Sequence, residues 1–204
     1  MNGHASPIPL SGLRFKGDRD YLHGTDILPI ALQALSGEDG MDAIGEIDIT
    51  FHGLATTGLT LCADAPHGSE PKVQLSCSMD GAKRRIVLVE DGRPIAERHP
   101  YPEERIVAAT DIDVPSATAV NSGAMPFTNI ERWVAMVKAL HQAVYPGAKG
   151  KWLFARGRFA RYQEAYAEPV EHRVTIQASF GDKLTRSALT IDGQPLGDIY
   201  FVLT

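Results

Sequence analysis

VQLSCSMDGAKRRIVLVEDGRPI, residues 73–95, is written a second time, with substitutions, as VTIQASFGDKLTRSALTIDGQPL, residues 174–196, and the two stretches align without a gap. The offset pairs Val73 with Val174, Ser78 with Ser179, Arg85 with Arg186 and Leu88 with Leu189. It also lays Asp91-Gly92 on Asp192-Gly193 and Pro94 on Pro195. Between these identities stand like-for-like exchanges, Lys72/Arg173, Leu75/Ile176, Met79/Phe180 and Ile95/Leu196. A period of about half the 204-residue chain is too long for a solenoid and reads as one unit used twice about a pseudo-two-fold axis. The units expected are residues 1–102 and 103–204, with a ligand slot at their seam.

Working outward, each half reads as strand, helix, then a run of strands. In the first, residues 10–15 form a short extended segment and residues 25–35 a helix, with Thr25 as N-cap, Pro29 near its start and Gly37 closing it. Residues 44–51 (IGEIDITF) alternate apolar and polar side chains, the pattern of a half-buried strand. Residues 58–63, 73–79 and 85–90 follow as strands, and Asp91-Gly92 is expected to turn the chain back into residues 94–98. The second half opens with residues 105–112, in the place of the leading strand, and a small-residue loop at 116–123. A helix over 128–145 carries Ile130, Val134, Val137 and Val144 on one stripe, with Trp133 and Leu140 beside it, and Pro146-Gly147 ends it. Strands are expected at 151–162, 170–180, 184–191 and 196–203, with a turn at Gly181-Asp182.

Composition narrows the class. A net charge of −5 disfavours nucleic acid and anionic membranes as partners. Hydrophobic residues at 44% and charged residues at 22% are ordinary for a soluble globular protein. Cys62 and Cys77 do not make a disulfide framework; they are expected in neighbouring strands as small buried hydrophobes, and a reducing cytoplasm is the simplest compartment. The start, MNGHASPIPL, lacks a basic end and an apolar run, so no signal peptide is expected, and no stretch nears the ~20 apolar residues of a membrane helix. The histidines are scattered and the cysteines lack partner ligands, so no metal site and no cofactor are expected.

A helix followed by antiparallel strands buries its apolar stripe on the concave face of the sheet. Two such units side by side make a long sheet wrapped around two helices, an α+β, tandem double hot-dog architecture. The helices open alike, Thr25-Asp26-Ile27 against Thr128-Asn129-Ile130. The stretch before the first helix, FKGDRDYLHGTDILP (residues 15–29), gathers Asp18, Arg19, Asp20, Tyr21 and His23 where helix N–H groups point outward and favour anions or oxyanions.

Within it, Gly24-Thr25-Asp26-Ile27-Leu28-Pro29-Ile30-Ala31-Leu32 is similar to the Gly-x-x-[Val/Ile]-[Met/Leu]-Pro-x-x-Leu stretch of the beta-hydroxyacyl-acyl-carrier-protein dehydratases. The resemblance covers about ten residues and implies a tunnel for a pantetheine-linked acyl chain. It also implies a His before the Gly and a carboxylate on the opposing unit's helix. In this register the family's His falls on Tyr21, with His23 two positions on, and the carboxylate position of the first helix falls on Leu35. A shift of two in an extended segment keeps the same face, and Glu131 on the second helix supplies a carboxylate that His23 could meet across the seam. Glu131 also suits the helix dipole, and His141, in the last turn, reads as a dipole partner.

The residues expected to act are therefore His23, Glu131, Tyr21 and Asp26, with Arg19, Gly24, Thr25 and Asn129 lining the substrate site. Arg156 and Arg158 share a strand face with Tyr162, Arg161 lying on the other. They could hold the phosphate of coenzyme A or of a carrier protein's prosthetic group, or pair with Glu164 and Glu168. The function expected is dehydration of 3-hydroxyacyl thioesters of coenzyme A or acyl-carrier protein. Hydrolysis, with Asp26 or Glu131 as base, and a non-catalytic acyl-binding module are the alternatives. Further association of copies through sheet edges is compatible with all three.

Overall fold

The computed structural model describes residues 6–37, 40–41, 44–166, 169–181 and 183–204; Asp182 and Glu168 lie outside the described residues. The chain divides into two compact units, Met1–Tyr101 and Pro102–Thr204.

The first unit runs β1 (Ile8–Pro9), β2 (Phe15–Lys16), α1 (Gly24–Ser36), β3 (Gly45–Phe51), β4 (Leu59–Cys62), β5 (Val73–Met79), β6 (Ala82–Glu90) and β7 (Arg98–His99). Its sheet has the order β1-β4-β6-β5-β3, antiparallel throughout. The alternation of β3 buries Ile47 and Ile49. Helix α1 buries Thr25, Ile27, Leu28, Ala31 and Leu32, and Gly37, at φ 54, closes it. Three expectations change. The segment at 10–15 is not one strand: β1 ends before it, at Pro9, and β2 (Phe15–Lys16) meets it only at Phe15. His23, not Thr25, is the N-cap of α1, because the Thr25 hydroxyl is committed elsewhere. Cys62 and Cys77, both free and buried, are not on neighbouring strands, since β6 lies between β4 and β5.

The second unit runs α2 (Glu103–Ala108), β8 (Thr110–Asp113), β9 (Thr118–Asn121), α3 (Asn129–Val144), β10 (Trp152–Arg161), β11 (His172–Phe180), β12 (Leu184–Ile191) and β13 (Gln194–Leu203). Its strands lie in the order β10-β13-β12-β11-β9-β8, and α3 packs on β8, β9, β10 and β11. Residues 105–112 are split between α2 and β8, and the expected 116–123 loop contains β9. Glu103 starts α2 and holds α3 through Lys138, whose ammonium donates to both carboxylate oxygens at 2.6 and 2.8 Å. Burial along α3 extends beyond one stripe, taking in Asn129, Arg132 and His141, while Val144 is half-buried.

The sequence repeat is a repeated hairpin. Val73 faces Leu88 across β5–β6, and Val174 faces Leu189 across β11–β12, so the apolar identities are cross-strand partners in the same register. All four are buried. The strands around the hairpins differ. β6 has β4 on its outer side, whereas β12 has β13 there; β5 borders β3, whereas β11 borders β9. Asp192 and Gly193, with φ of 47 and 75, make a two-residue primed turn that brings Gln194 opposite Ile191. At Asp91-Gly92 the chain does not return beside β6, because β4 occupies that edge. The Asp91 carboxylate instead accepts from Arg93 N at 3.0 Å and Nε at 2.9 Å, which holds its pKa down at about 2, and Gly58 N donates to the Arg93 carbonyl at 2.8 Å. Residues 94–98 accordingly do not form the expected strand; the chain next pairs at Arg98–His99.

Candidate functional site

The segment entering α1 is held by the end of its own unit. β2 runs parallel to β7, with Phe15 opposite Arg98 and Lys16 opposite His99. The Arg98 guanidinium fastens the following turn, donating to the carbonyls of Gly17 at 2.6 Å and Arg19 at 2.8 Å and to Asp20 Oδ1 at 3.0 Å. Leu22 N then donates to the Ala55 carbonyl at 2.7 Å, which seats the chain at the helix entrance.

This path drives Lys16 inward until its side chain is 0% exposed. Its ammonium donates to Thr25 Oγ1 at 2.8 Å and Asp26 Oδ1 at 2.6 Å. A buried ammonium needs such partners, because its transfer out of water costs several kcal/mol otherwise. Thr25 Oγ1 also lies 2.7 Å from His23 Nδ1. An ammonium has no acceptor, so Thr25 accepts from Lys16; its second lone pair can take a hydrogen from His23 Nδ1, or its own hydrogen can go to that nitrogen, according to the His23 tautomer. The Tyr101 ring lies beside this group, 4.6 Å from Lys16 Nζ, 5.5 Å from the Arg19 guanidinium carbon and 6.0 Å from the His23 ring centre. Asp26 Oδ2 is shielded from solvent and accepts no hydrogen bond; His99 Nε2 is 3.9 Å away.

Among the residues named from the sequence, His23, Thr25 and Asp26 thus meet at the first turn of α1, with Gly24 as its first residue and Arg19 against Tyr101. Tyr21 is half-buried at the entrance. Lys16, His99 and Tyr101 were not anticipated. A lone lysine in a short extended segment carries no signal for burial, and His99 and Tyr101 are brought in by the β2–β7 pairing.

In the second unit Glu131 is half of a capping box. Its Oε2 accepts from Thr128 N at 2.8 Å and Oγ1 at 2.9 Å, while Glu131 N donates back to Thr128 Oγ1 at 3.3 Å. Asn129, buried behind it, donates from Nδ2 to the Gln163 carbonyl at 2.8 Å. Arg156 lies over the Tyr200 ring at 5.7 Å and Arg158 is exposed, but the strand ends at Arg161 and Tyr162, just beyond it, is buried, so the expected shared face does not extend to it. His141 is buried, its Nδ1 donating to the Val137 carbonyl and its Nε2 accepting from Thr185 Oγ1, both at 2.6 Å. Burial holds its pKa down at about 4, so it is neutral near pH 7 and is not the charged dipole partner expected. Among the described residues no three His, Cys, Asp or Glu side chains gather as a metal-binding group, and no helix is long and apolar enough to cross a membrane.

No protein-family model matches the chain, and no curated protein sequence does. Solved structures do. The tesB protein of Mycobacterium avium subsp. paratuberculosis is similar with a TM-score of 0.55 at 12% identity, over 95% of this chain and 91% of that one. A conserved protein of unknown function with a hot-dog fold from Alicyclobacillus acidocaldarius gives 0.53 at 8% identity, over 100% and 94%. A protein described as an oleoyl thioesterase from Lactobacillus plantarum gives 0.50 at 11% identity, over 98% of both chains. At such identities the likeness speaks for architecture, and it agrees with helices packed on antiparallel strands: the chain has the hot-dog fold.

Proposed function

We propose that the chain processes acyl thioesters by hydrolysis, at the first turn of α1, with Asp26 as base and His23 as the donor to the thioester oxygen. The observation that carries this reading is the buried Lys16–Thr25–His23 relay beside Asp26. In this reading His23 holds its hydrogen on Nε2 while Nδ1 accepts from Thr25 Oγ1, which makes it a donor rather than a proton-abstracting base. Asp26 keeps Oδ2 uncommitted while Lys16 holds Oδ1.

In this reading Asp26 takes a proton from water as the water oxygen bonds to the thioester carbonyl carbon. His23 Nε2–H donates to the oxygen that becomes negative. The C–S bond then breaks, and the thiolate leaves with the proton from Asp26, giving free acid and thiol. The helix N-terminus adds its positive dipole end to the same oxygen. The description of one similar structure as an oleoyl thioesterase also favours this class. Coenzyme A and acyl-carrier-protein esters are the substrates proposed.

Dehydration is the second reading, with His23 as the proton-abstracting base in the opposite tautomer, its hydrogen on Nδ1. Incubation with acyl-CoA and 3-hydroxyacyl-CoA separates the two, since hydrolysis releases thiol and dehydration forms an enoyl product. Asp26→Asn is expected to lower thiol release by about 10²–10⁴-fold and His23→Ala by about 10²–10³-fold. Thiol release indifferent to both substitutions refutes the assignment. Enoyl formation abolished by His23→Ala moves it to dehydration, and binding of the thioesters without turnover moves it to a non-catalytic module.

A further inference from the structure

Beside the base of the proposed site stands a second histidine that hydrolysis leaves without a task. His99 lies in β7, opposite Lys16 of the parallel strand β2, and Gly17 N donates to its carbonyl at 2.9 Å, so its backbone is fixed. Its Nε2 lies 3.9 Å from Asp26 Oδ2. Nδ1 is shielded from solvent and has no hydrogen-bond partner, while the side chain as a whole keeps 26% of its surface exposed. The two oxygens of Asp26 are in different situations. Oδ1 takes the Lys16 ammonium at 2.6 Å, whereas Oδ2 is shielded and accepts no hydrogen bond.

The separation of 3.9 Å is too long for a hydrogen bond, yet a movement of about 1 Å by the ring makes one. Protonation supplies the reason to move. An imidazolium carries an N–H on both nitrogens, and its bond to a carboxylate is roughly twice as strong as one between neutral groups. The charged and titratable groups around His99 are Lys16 from β2, Asp26 and His23 from the start of α1, and Tyr101, whose ring lies against Lys16 and Arg19. Arg98, its neighbour in β7, is turned to the carbonyls of Gly17 and Arg19 and to Asp20. Lys16 opposes a second cation here, but its ammonium is already bonded to Asp26 Oδ1 and Thr25 Oγ1, and Asp26 Oδ2 is the acceptor left over.

We propose that His99 is an acid lock on Asp26. Protonated, His99 closes its Nε2–H onto Oδ2, and a carboxylate held by Lys16 on one oxygen and by His99 on the other no longer takes a proton from water. Neutral His99 leaves Oδ2 uncommitted and the site active. The effect on turnover rests on the reading of Asp26 as the base of hydrolysis; the pairing of His99 with Asp26 does not. His23 does not act in this way, because its protonation leaves in place the Nε2–H that hydrolysis uses.

The test follows the whole chain, without substrate, from about pH 8 to about pH 5 by NMR of the Asp26 carboxyl carbon and the His99 ring protons, across the range in which histidine takes up its proton. In parallel, kcat/KM is measured with octanoyl-CoA as the probe, each profile relative to its own value at the alkaline end. In the wild type the Asp26 carboxyl signal should step at the midpoint of the His99 ring, and kcat/KM should fall about tenfold per pH unit below it. In His99→Gln both the step and the fall should be lost. His141 and His172 remain in that variant, so acid effects on the second unit are common to both proteins. An Asp26 signal that ignores the His99 midpoint in the wild type overturns the lock, and so does a step or an acid fall retained in His99→Gln. The wild-type spectra decide even where His99→Gln does not fold. Joint titration of the two groups in a chain that hydrolyses nothing upholds the pairing and removes the hydrolytic assignment. Hydrolysis that depends on Asp26 but ignores His99 keeps that assignment and removes the lock.

Discussion

Acid should loosen the second unit well before it reaches the carboxylates. His141 and His172 are both completely buried and their pKa values are held down, to about 4 and about 3, from 6.5, in each case chiefly by burial. With the folded pKa below the unfolded one, the unfolded chain binds more protons between those values, so stability falls as pH falls. Each group then contributes a slope of about 1.4 kcal/mol per pH unit below the unfolded pKa. Between about pH 7 and pH 5 that amounts to roughly 2 kcal/mol per histidine and near 4 kcal/mol for the pair. Asp91 and Glu90, whose pKa values are lowered, work at more acid pH, since their contribution is lost only below their ordinary carboxylate values. The assay is urea unfolding followed by tryptophan fluorescence, because Trp133 and Trp152 both report on this unit. His141→Phe combined with Thr185→Val removes both ends of the Nε2 hydrogen bond and places an aromatic ring against Trp152 and Phe201, whose ring centres lie 4.3 and 5.5 Å from His141. This double variant should lose about half of the wild-type slope in the pH 7 to 5 interval. An unchanged slope would refute a neutral, acid-sensitive His141, whatever the variant's stability at neutral pH.

Substitutions at three other places bear on the packing. Lys16→Met strands the Asp26 carboxylate and should cost about 3–5 kcal/mol, whereas Lys16→Met with Asp26→Leu should recover most of it; circular dichroism during urea unfolding measures both. Thr128→Ala removes one side of the capping box and should cost about 1 kcal/mol, read from the tryptophan signal. Leu88→Ala and Leu189→Ala empty equivalent places in the two hairpins, and each should cost about 2–5 kcal/mol in the same unfolding assay.

Much of the architecture was legible along the chain because periodicity is a local property. The alternation in residues 44–51, the Thr128 cap with Glu131 three places on, and the strands Val73–Met79 and Leu184–Ile191 each carry their own signal. The hairpin repeat was also visible, since Val73 with Leu88 and Val174 with Leu189 keep apolar side chains at fixed spacing. Three parts of the proposed site, His23, Thr25 and Asp26, stand within four residues of one another and could be named together.

What the sequence could not convey is where non-local segments return. Asp91-Gly92 and Asp192-Gly193 are equivalent in the repeat, yet of these two only Asp192-Gly193 makes a hairpin, because β4 already lies along the outer edge of β6. Lys16 and His99 become neighbours only through the β2–β7 pairing, more than eighty residues apart. His172 finds Asn121 only through strand register and Trp133 only through packing of α3 on the sheet. Burial of a charge is a property of everything folded around it. A lysine or arginine therefore reads as solvated surface until the fold supplies its neighbours, and only the tertiary structure could assign Lys16 and Arg132 to the interior.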